Sequence, residues 1–201
     1  LKNITADENF DTFSLSWYNN TDVDPATGLT PYINMQKVLK VCHDFVDNFD
    51  NTFSNLLFIG QTGVGKTFLS NCIARALMDS CHSIIYLTAG EFFDSFKSDD
   101  FKEFGSSKFD TSFFVECDLL IIDDLGTEKA SDYNFSNLFN TINERLLRRK
   151  SIIISSNLEM PDIETRYSQR IFSRLVSAYS ILRLFGDDIR CMKKLSPTKR
   201  S

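Results

Sequence analysis

Hydrophobic residues fall along this chain in two alternating rhythms. Short runs that are almost wholly apolar, Leu56-Leu57-Phe58-Ile59, Ser83-Ile84-Ile85-Tyr86-Leu87, Leu119-Leu120-Ile121-Ile122 and Ser151-Ile152-Ile153-Ile154-Ser155, have the length and β-branched content of strands buried on both faces. Between them, apolar residues recur every three or four positions, the spacing of a helix with one buried face. Met35, Val38, Leu39, Cys42, Phe45, Val46 and Phe49 predict a helix over 34–49, and Phe68 to Met78 predicts a second. Ala89 to Phe96 begins a third, with Phe92, Phe93 and Phe96 inward. Phe135, Leu138, Phe139, Ile142, Leu146 and Leu147 mark a long fourth helix that closes on Arg148-Arg149-Lys150, cations suited to a helix carboxyl end. Apolar strands alternating with helices specify a three-layer α/β fold around a parallel sheet.

Ahead of this pattern, residues 1–31 read as an extended arm. Phe10, Phe13, Trp17 and Tyr18 are spaced among polar residues, where they would pin the arm to the core, and Asp24-Pro25, Gly28 and Pro31 interrupt any helix. The main domain is then expected over 32–190, with a basic tail over 191–201. The chain starts at Leu1, not methionine, and is read as part of something longer.

At 201 residues with 42% hydrophobic and 24% charged content, the chain can build one sizeable core. No stretch approaches the ~20 apolar residues of a membrane span and the first residues are not signal-like, so a cytoplasmic protein with no membrane partner is expected. The five cysteines are scattered and mostly set in apolar patterns, which suits reduced thiols. With only His43 and His82 available, no Cys/His zinc spacing exists. A net charge of −5 argues against nucleic-acid binding over the whole surface. Two local stretches differ. Arg183, Arg190, Lys193, Lys194, Lys199 and Arg200 make the carboxyl end basic, which fits either a binding role or a solvated tail. Lys97, Lys102 and Lys108 alternate with Phe101, Phe104 and Phe109, which fits either a nucleic-acid contact or a surface helix with a core-facing aromatic stripe.

The chemistry sits at the ends of the apolar runs. Gly60-Gln61-Thr62-Gly63-Val64-Gly65-Lys66-Thr67 follows the first strand and opens a helix at Phe68, matching G-x-x-x-x-G-K-[ST] at every required position. Glycines at 60, 63 and 65 let backbone N–H groups converge on phosphate oxygens. Lys66 would neutralise the β- and γ-phosphates, and Thr67 would offer its hydroxyl to Mg²⁺. This spelling predicts a nucleoside triphosphate site. The third run ends in Asp123-Asp124, acids delivered to the carboxyl end of a parallel strand. Asp123 is assigned to the Mg²⁺ side and Asp124 to the attacking water. Asn157, at the end of Ser155-Ser156-Asn157, would hold that water or sense the γ-phosphate, although a helix cap equally explains an Asn there. Arg170 and Arg174 stand one helical turn apart, either as a γ-phosphate fork reaching a neighbouring subunit or as a surface pair matched to acids such as Glu164.

These segments resemble the AAA+ ATPases, and more narrowly the DnaC/DnaI-type bacterial helicase loaders and their relatives the IstB transposition ATPases. The likeness rests on Gln61 to Thr67, on Asp118 to Glu128 (DLLIIDDLGTE), on Ser155 to Leu158 and on Arg170 to Leu175 (RIFSRL), and it covers about residues 10 to 190. It implies Walker A, Walker B, sensor 1 and arginine-finger roles for those segments in turn, with Arg174 as the finger and Arg170 beside it in the subunit contact. It also implies ATP and Mg²⁺ as cofactors, ATP-dependent self-association, single-stranded DNA and a replicative hexameric helicase as partners, or duplex DNA and a transposase on the IstB side. Three departures stand out. Asp124 replaces the Glu common after the Walker B acid, so hydrolysis is expected to be slow. After Leu175 only 26 residues remain, too few for a full helical lid. A helicase-binding domain is also missing from the amino-terminal side. A small-molecule kinase is the third reading, disfavoured by the Asn157 and Arg174 segments.

Overall fold

A computed structural model describes residues 4–97, residue 6 excepted, and 111–195. These described residues form a parallel sheet of five strands, β1 (Leu56–Ile59), β2 (Ile84–Thr88), β3 (Leu119–Leu125), β4 (Ser151–Ser156) and β5 (Ser180–Arg183), in the order β2-β3-β4-β1-β5. Among the described residues eight α-helices accompany them: α1 (Pro31–Asp47), α2 (Lys66–Asp79), α3 (Ala89–Lys97), α4 (Phe113–Glu116), α5 (Asp132–Leu147), α6 (Met160–Arg166), α7 (Gln169–Ala178) and α8 (Ile189–Leu195). The expected three-layer α/β architecture is therefore observed.

The apolar runs are continuous because both faces of the sheet are covered. Leu57, Ile59, Leu120, Ile122, Ile152 and Ile154 point into one core, closed by α3, α4, α5, α6 and α7. Their neighbours Leu56, Phe58, Leu119, Ile121 and Ile153 point into a second core beneath α1, α2 and Tyr18 of the arm. Alternation by single residues along a strand produces this division. Each fully buried Leu or Ile contributes roughly 1.5–3 kcal/mol over its exposed state.

Three local features depart from the sequence reading. Pro31 does not break a helix but begins one: it occupies the first turn of α1, where its missing N–H costs nothing, and Thr30 caps the end by accepting from Ile33 N at 3.3 Å. The strand β5 has no apolar run to announce it. Only Ile181 and Leu182 are apolar, since an edge strand needs fewer buried positions, and the buried Asn55 sets its start by donating to Ala178 O at 3.0 Å while accepting from Ile152 N at 2.9 Å. The helix α8 crosses the expected boundary between residues 190 and 191. Of the mixed Lys/Phe segment, Phe101, Lys102, Phe104, Lys108 and Phe109 lie outside the described residues, as do Lys199 and Arg200 of the basic end.

Arg145 is a buried charge that helical spacing did not disclose. It is 0% exposed and donates through Nη1 to Phe114 O (2.7 Å) and Cys117 O (2.9 Å), and through Nη2 to Asp118 O (3.0 Å) and Ser151 O (2.6 Å). One guanidinium thus ties the amino ends of β3 and β4 to α4 and α5. Cys42, Cys72 and Cys117 are buried free thiols, while Cys81 and Cys191 are exposed. Among the described residues no helix is long and apolar enough to cross a membrane.

Candidate nucleotide site

The strand order decides where the chemistry gathers. Because β4 lies between β1 and β3, its carboxyl end at Asn157 falls between the loop that follows β1 and the acids that end β3. That loop is shaped by close neighbours. At Gly60 (φ +146°) an added Cβ would stand 2.0 Å from Leu184 O, at the end of β5, and at Gly63 (φ +83°) it would stand 2.1 Å from the Asp188 carboxylate. Gly60 meets fixed backbone and cannot carry a side chain, at Gly63 the Asp188 side chain would have to move, and both adopt backbone that favours glycine. Gly65 caps α2 with no side-chain hydrogen bond, so the first-turn N–H groups of this 14-residue helix are left for an anion.

A cavity of about 260 Å³ opens over this helix end. From the predicted set it is lined by Thr62, Gly63, Gly65, Lys66, Thr67, Phe68, Asp124 and Asn157. Gly60, Gln61 and Val64 are outside the lining and act through their carbonyls: Gly60 O and Gln61 O accept from Lys66 Nζ at 2.6 and 2.8 Å, and Val64 O accepts from Tyr18 Oη at 3.1 Å. Lys66 also donates to Asn157 Oδ1 at 2.6 Å, so the lysine is fully engaged within the loop. Its burial lowers its pKa, an effect opposed by the Asp124 and Asp123 carboxylates and reinforced by Arg190. Asn157 does not cap a helix: the capping position of α6 is Glu159, and Asn157 Nδ2 points to Asp124 Oδ1 at 3.5 Å.

The two acids are held differently. Asp123 is buried, with Tyr86 Oη donating to Oδ2 at 3.0 Å and Ser155 Oγ donating to Oδ1. Burial and Asp123 push the Tyr86 phenol far up, so it remains a proton donor. Asp124 takes the left-handed region (φ +57°), with its N–H on Ser155 Oγ at 3.0 Å, and its side chain lines the cavity. Burial, and then the charge of Asp123, raise the Asp124 pKa, while Lys66, Arg190 and Asn157 pull it back. Thr67 and Asp124, backed by Asp123, offer oxygen donors only, and among the described residues no group of three His, Cys, Asp or Glu could hold a metal alone. Such a donor set suits Mg²⁺ that keeps waters and shares triphosphate oxygens.

Sequence reasoning missed half of the cavity. The arm supplies Glu8, Thr12, Phe13, Trp17 and Tyr18, and α8 supplies Ile189, Arg190 and Lys193. Phe13 packs edge-on against Phe68 at 5.4 Å, Glu8 accepts from Asn71 of α2, and Lys193 Nζ stands 5.7 Å from the Trp17 ring and 5.9 Å from Phe68. The arm aromatics and the cations of the basic end were visible as composition, but nothing local indicated that both ends of the chain meet over the loop. Arg170 and Arg174 are not in this cavity. They line a separate shallow cleft with Phe139, Gln169 and Ser173; among the described residues neither forms an ion pair, and Arg174 Nη2 meets Asn143 Oδ1 at 3.4 Å.

The replicative helicase loader DnaC of Escherichia coli (strain K12) is 23% identical over 151 residues, which is 75% of this chain and 61% of that protein, so the chain spans less than two thirds of this relative. A crystal structure of the DnaC helicase loader superposes with a TM-score of 0.71 at 21% identity, covering 90% of this chain and 98% of that one. AMPPCP-bound DnaA from Aquifex aeolicus gives 0.73 at 18% identity, covering 98% and 58%. The fold is thus that of the phosphate-loop AAA+ domains. The family model for IstB-like ATP-binding proteins matches residues 33–196, and the chain belongs to that family.

Proposed function

We propose that this chain is the ATP-hydrolysing AAA+ portion of a DNA replication helicase loader, acting in the cytoplasm through ATP-dependent self-assembly and contact with single-stranded DNA. The observation that carries the hydrolytic reading is the meeting of Lys66, Thr67, Asp124 and Asn157 on one cavity at the amino end of α2. On binding ATP, Lys66 exchanges its bonds to Gly60 O, Gln61 O and Asn157 Oδ1 for phosphate oxygens, and the N–H groups of the loop take the remaining charge. Thr67 at the cavity and Asp123 behind it would hold Mg²⁺, which would supply positive charge for the triphosphate. Asn157, released by Lys66, and Asp124 orient the attacking water, and Asp124 accepts its proton. Arg190 adds a cation beside the γ-phosphate within the same subunit, and Arg174, free of carboxylates on α7, reaches the nucleotide of the next subunit with Arg170 beside it.

The loader reading draws on the likeness to DnaC. The family match supports a second reading, a transposition helper ATPase acting on duplex DNA with a transposase. Measuring ATP turnover with single-stranded and with duplex DNA separates them: stimulation by single strands alone supports the loader, and stimulation by duplex alone overturns it. Phosphate appearing on an acceptor instead of in water would overturn both. Arg174→Ala should spare ATP binding yet lose assembly and turnover, and added Lys66→Ala protein, which still carries the finger, should restore turnover; no rescue at any ratio would assign Arg174 a structural role.

A further inference from the structure

A buried, multiply bonded carboxylate stands outside the nucleotide cavity. The side chain of Glu128 is 2% exposed and stands four residues after Asp124 in the loop that leaves β3. Its Oε2 accepts from Gly126 N at 2.8 Å and its Oε1 accepts from Tyr167 Oη at 2.6 Å; Arg166 Nε lies 3.5 Å from Oε1, and Arg166 Nη2 donates to Glu128 O. One carboxylate therefore clamps the loop behind Asp124 to the corner between α6 and α7. Three residues after Tyr167, α7 presents Arg170 and then Arg174.

The other end of the same loop faces the nucleotide. Asp124 holds its left-handed backbone partly because its carbonyl accepts from Thr127 Oγ1 at 2.9 Å, and its side chain meets Asn157, which is itself held by Lys66. Ser156 Oγ donates to Leu125 O at 2.6 Å and accepts from Leu158 N at 3.1 Å, so the middle of the loop moves with the end of β4. When phosphate takes Lys66 away from Asn157, the restraint on Asp124 changes while Glu128 still grips α6 and α7. A buried carboxylate with two hydrogen-bonded partners and an ion pair yields less readily than the exposed contacts around it.

We propose that Glu128 is a positioning residue that couples the state of the nucleotide cavity to the placement of the helix bearing Arg170 and Arg174. Coupling within one chain stands on these contacts alone; its meaning for a neighbouring subunit rests on the reading of Arg174 given above. Spatial continuity is not itself coupling, so the test must read both ends.

Hydrogen–deuterium exchange of the whole chain, with and without Mg²⁺ and a non-hydrolysable ATP analogue, reads both. In the wild type, amides of residues 160–178 should slow about five-fold or more on binding, together with those of residues 60–72. Glu128→Gln keeps the size but cannot accept from both Gly126 and Tyr167; it should bind the analogue with wild-type affinity, protect residues 60–72, and leave residues 160–178 unresponsive. Tyr167→Phe guards against misfolding, since it keeps the Gly126 bond and the Arg166 contacts and removes only the Tyr167 hydroxyl, and it should weaken the same response. A wild type that protects residues 60–72 alone would overturn the proposal. So would variants that keep the distant response, or variants that lose analogue affinity along with it, which would mark Glu128 as a structural residue. Wild-type turnover by Arg174→Ala in assembled protein would overturn the finger reading and leave the exchange result standing.

Discussion

Arg190 offers the sharpest test of how the two ends of the chain build the cavity. It was visible in the sequence only as one cation of a basic end, yet α8 brings it beside Lys66 and Asp124, where its charge acts on both. Its place is set by the loop itself: Ile189 N donates to Gly63 O at 3.1 Å, and the Asp188 carboxylate accepts from Arg190 N at 2.8 Å. Arg190→Ala removes one exposed guanidinium and no packing of consequence. For a guanidinium about 5 Å from a phosphate charge, an effective dielectric of about 20–80 gives roughly 1–3 kcal/mol per unit charge. That corresponds to roughly 5–150-fold weaker binding. Titration with a fluorescent ATP analogue should show this loss, larger for ATP than for ADP because Arg190 shares the Asp124 side of the cavity, and reduced in high salt. Lys194→Ala, on the same helix but away from the cavity lining, is the control. Equal affinities for Arg190→Ala, Lys194→Ala and wild type would refute the electrostatic role and leave α8 as a mere cover.

Asp124→Asn should keep ATP binding and lose turnover, and it should also raise the melting temperature near neutral pH. Because the Asp124 pKa is raised in the fold, its charge destabilises the folded state as pH rises from the unfolded value, about 3.9, through the folded one; the advantage of Asn should therefore shrink as pH falls and be gone below about pH 3, where Asp is protonated in both states. Asn also tolerates the left-handed backbone at this position better than most residues. An unchanged or lower melting temperature at neutral pH would contradict this account. Lys66→Ala should abolish analogue binding, and retained affinity would remove the phosphate-loop assignment. Arg145→Met preserves bulk but removes a buried donor shared by four carbonyls, and should cost about 3–5 kcal/mol. Thermal unfolding would show this as a fall of roughly 6–20 °C.

The phosphate loop and the acids after β3 were legible because their spelling is local: the loop needs glycine where a Cβ would collide with Leu184 O or with Asp188, and a doubly covered strand needs an unbroken apolar run before its acids. The strand β5 and the start of α1 were not, for a matching reason. An edge strand buries too little to leave a run of apolar residues, and a proline at the first turn of a helix is spelled like a breaker. Asn157 illustrates the boundary. Its residue type allowed a cap or a polar contact near phosphate, and only the insertion of β4 between β1 and β3 placed it on Lys66 and next to Asp124.

By itself the sequence determined the fold class, the glycine-rich loop and the pair of acids, since each follows from backbone geometry within a few residues. Tertiary structure decided what surrounds them. The arm with Tyr18 and Trp17, the helix with Arg190, and the clamp from Glu128 to Tyr167 each join residues far apart along the chain, and their pairing depends on strand order and on which helix covers which face. Hydrophobic spacing records that a residue is buried or exposed; it carries no record of which distant residue it will meet.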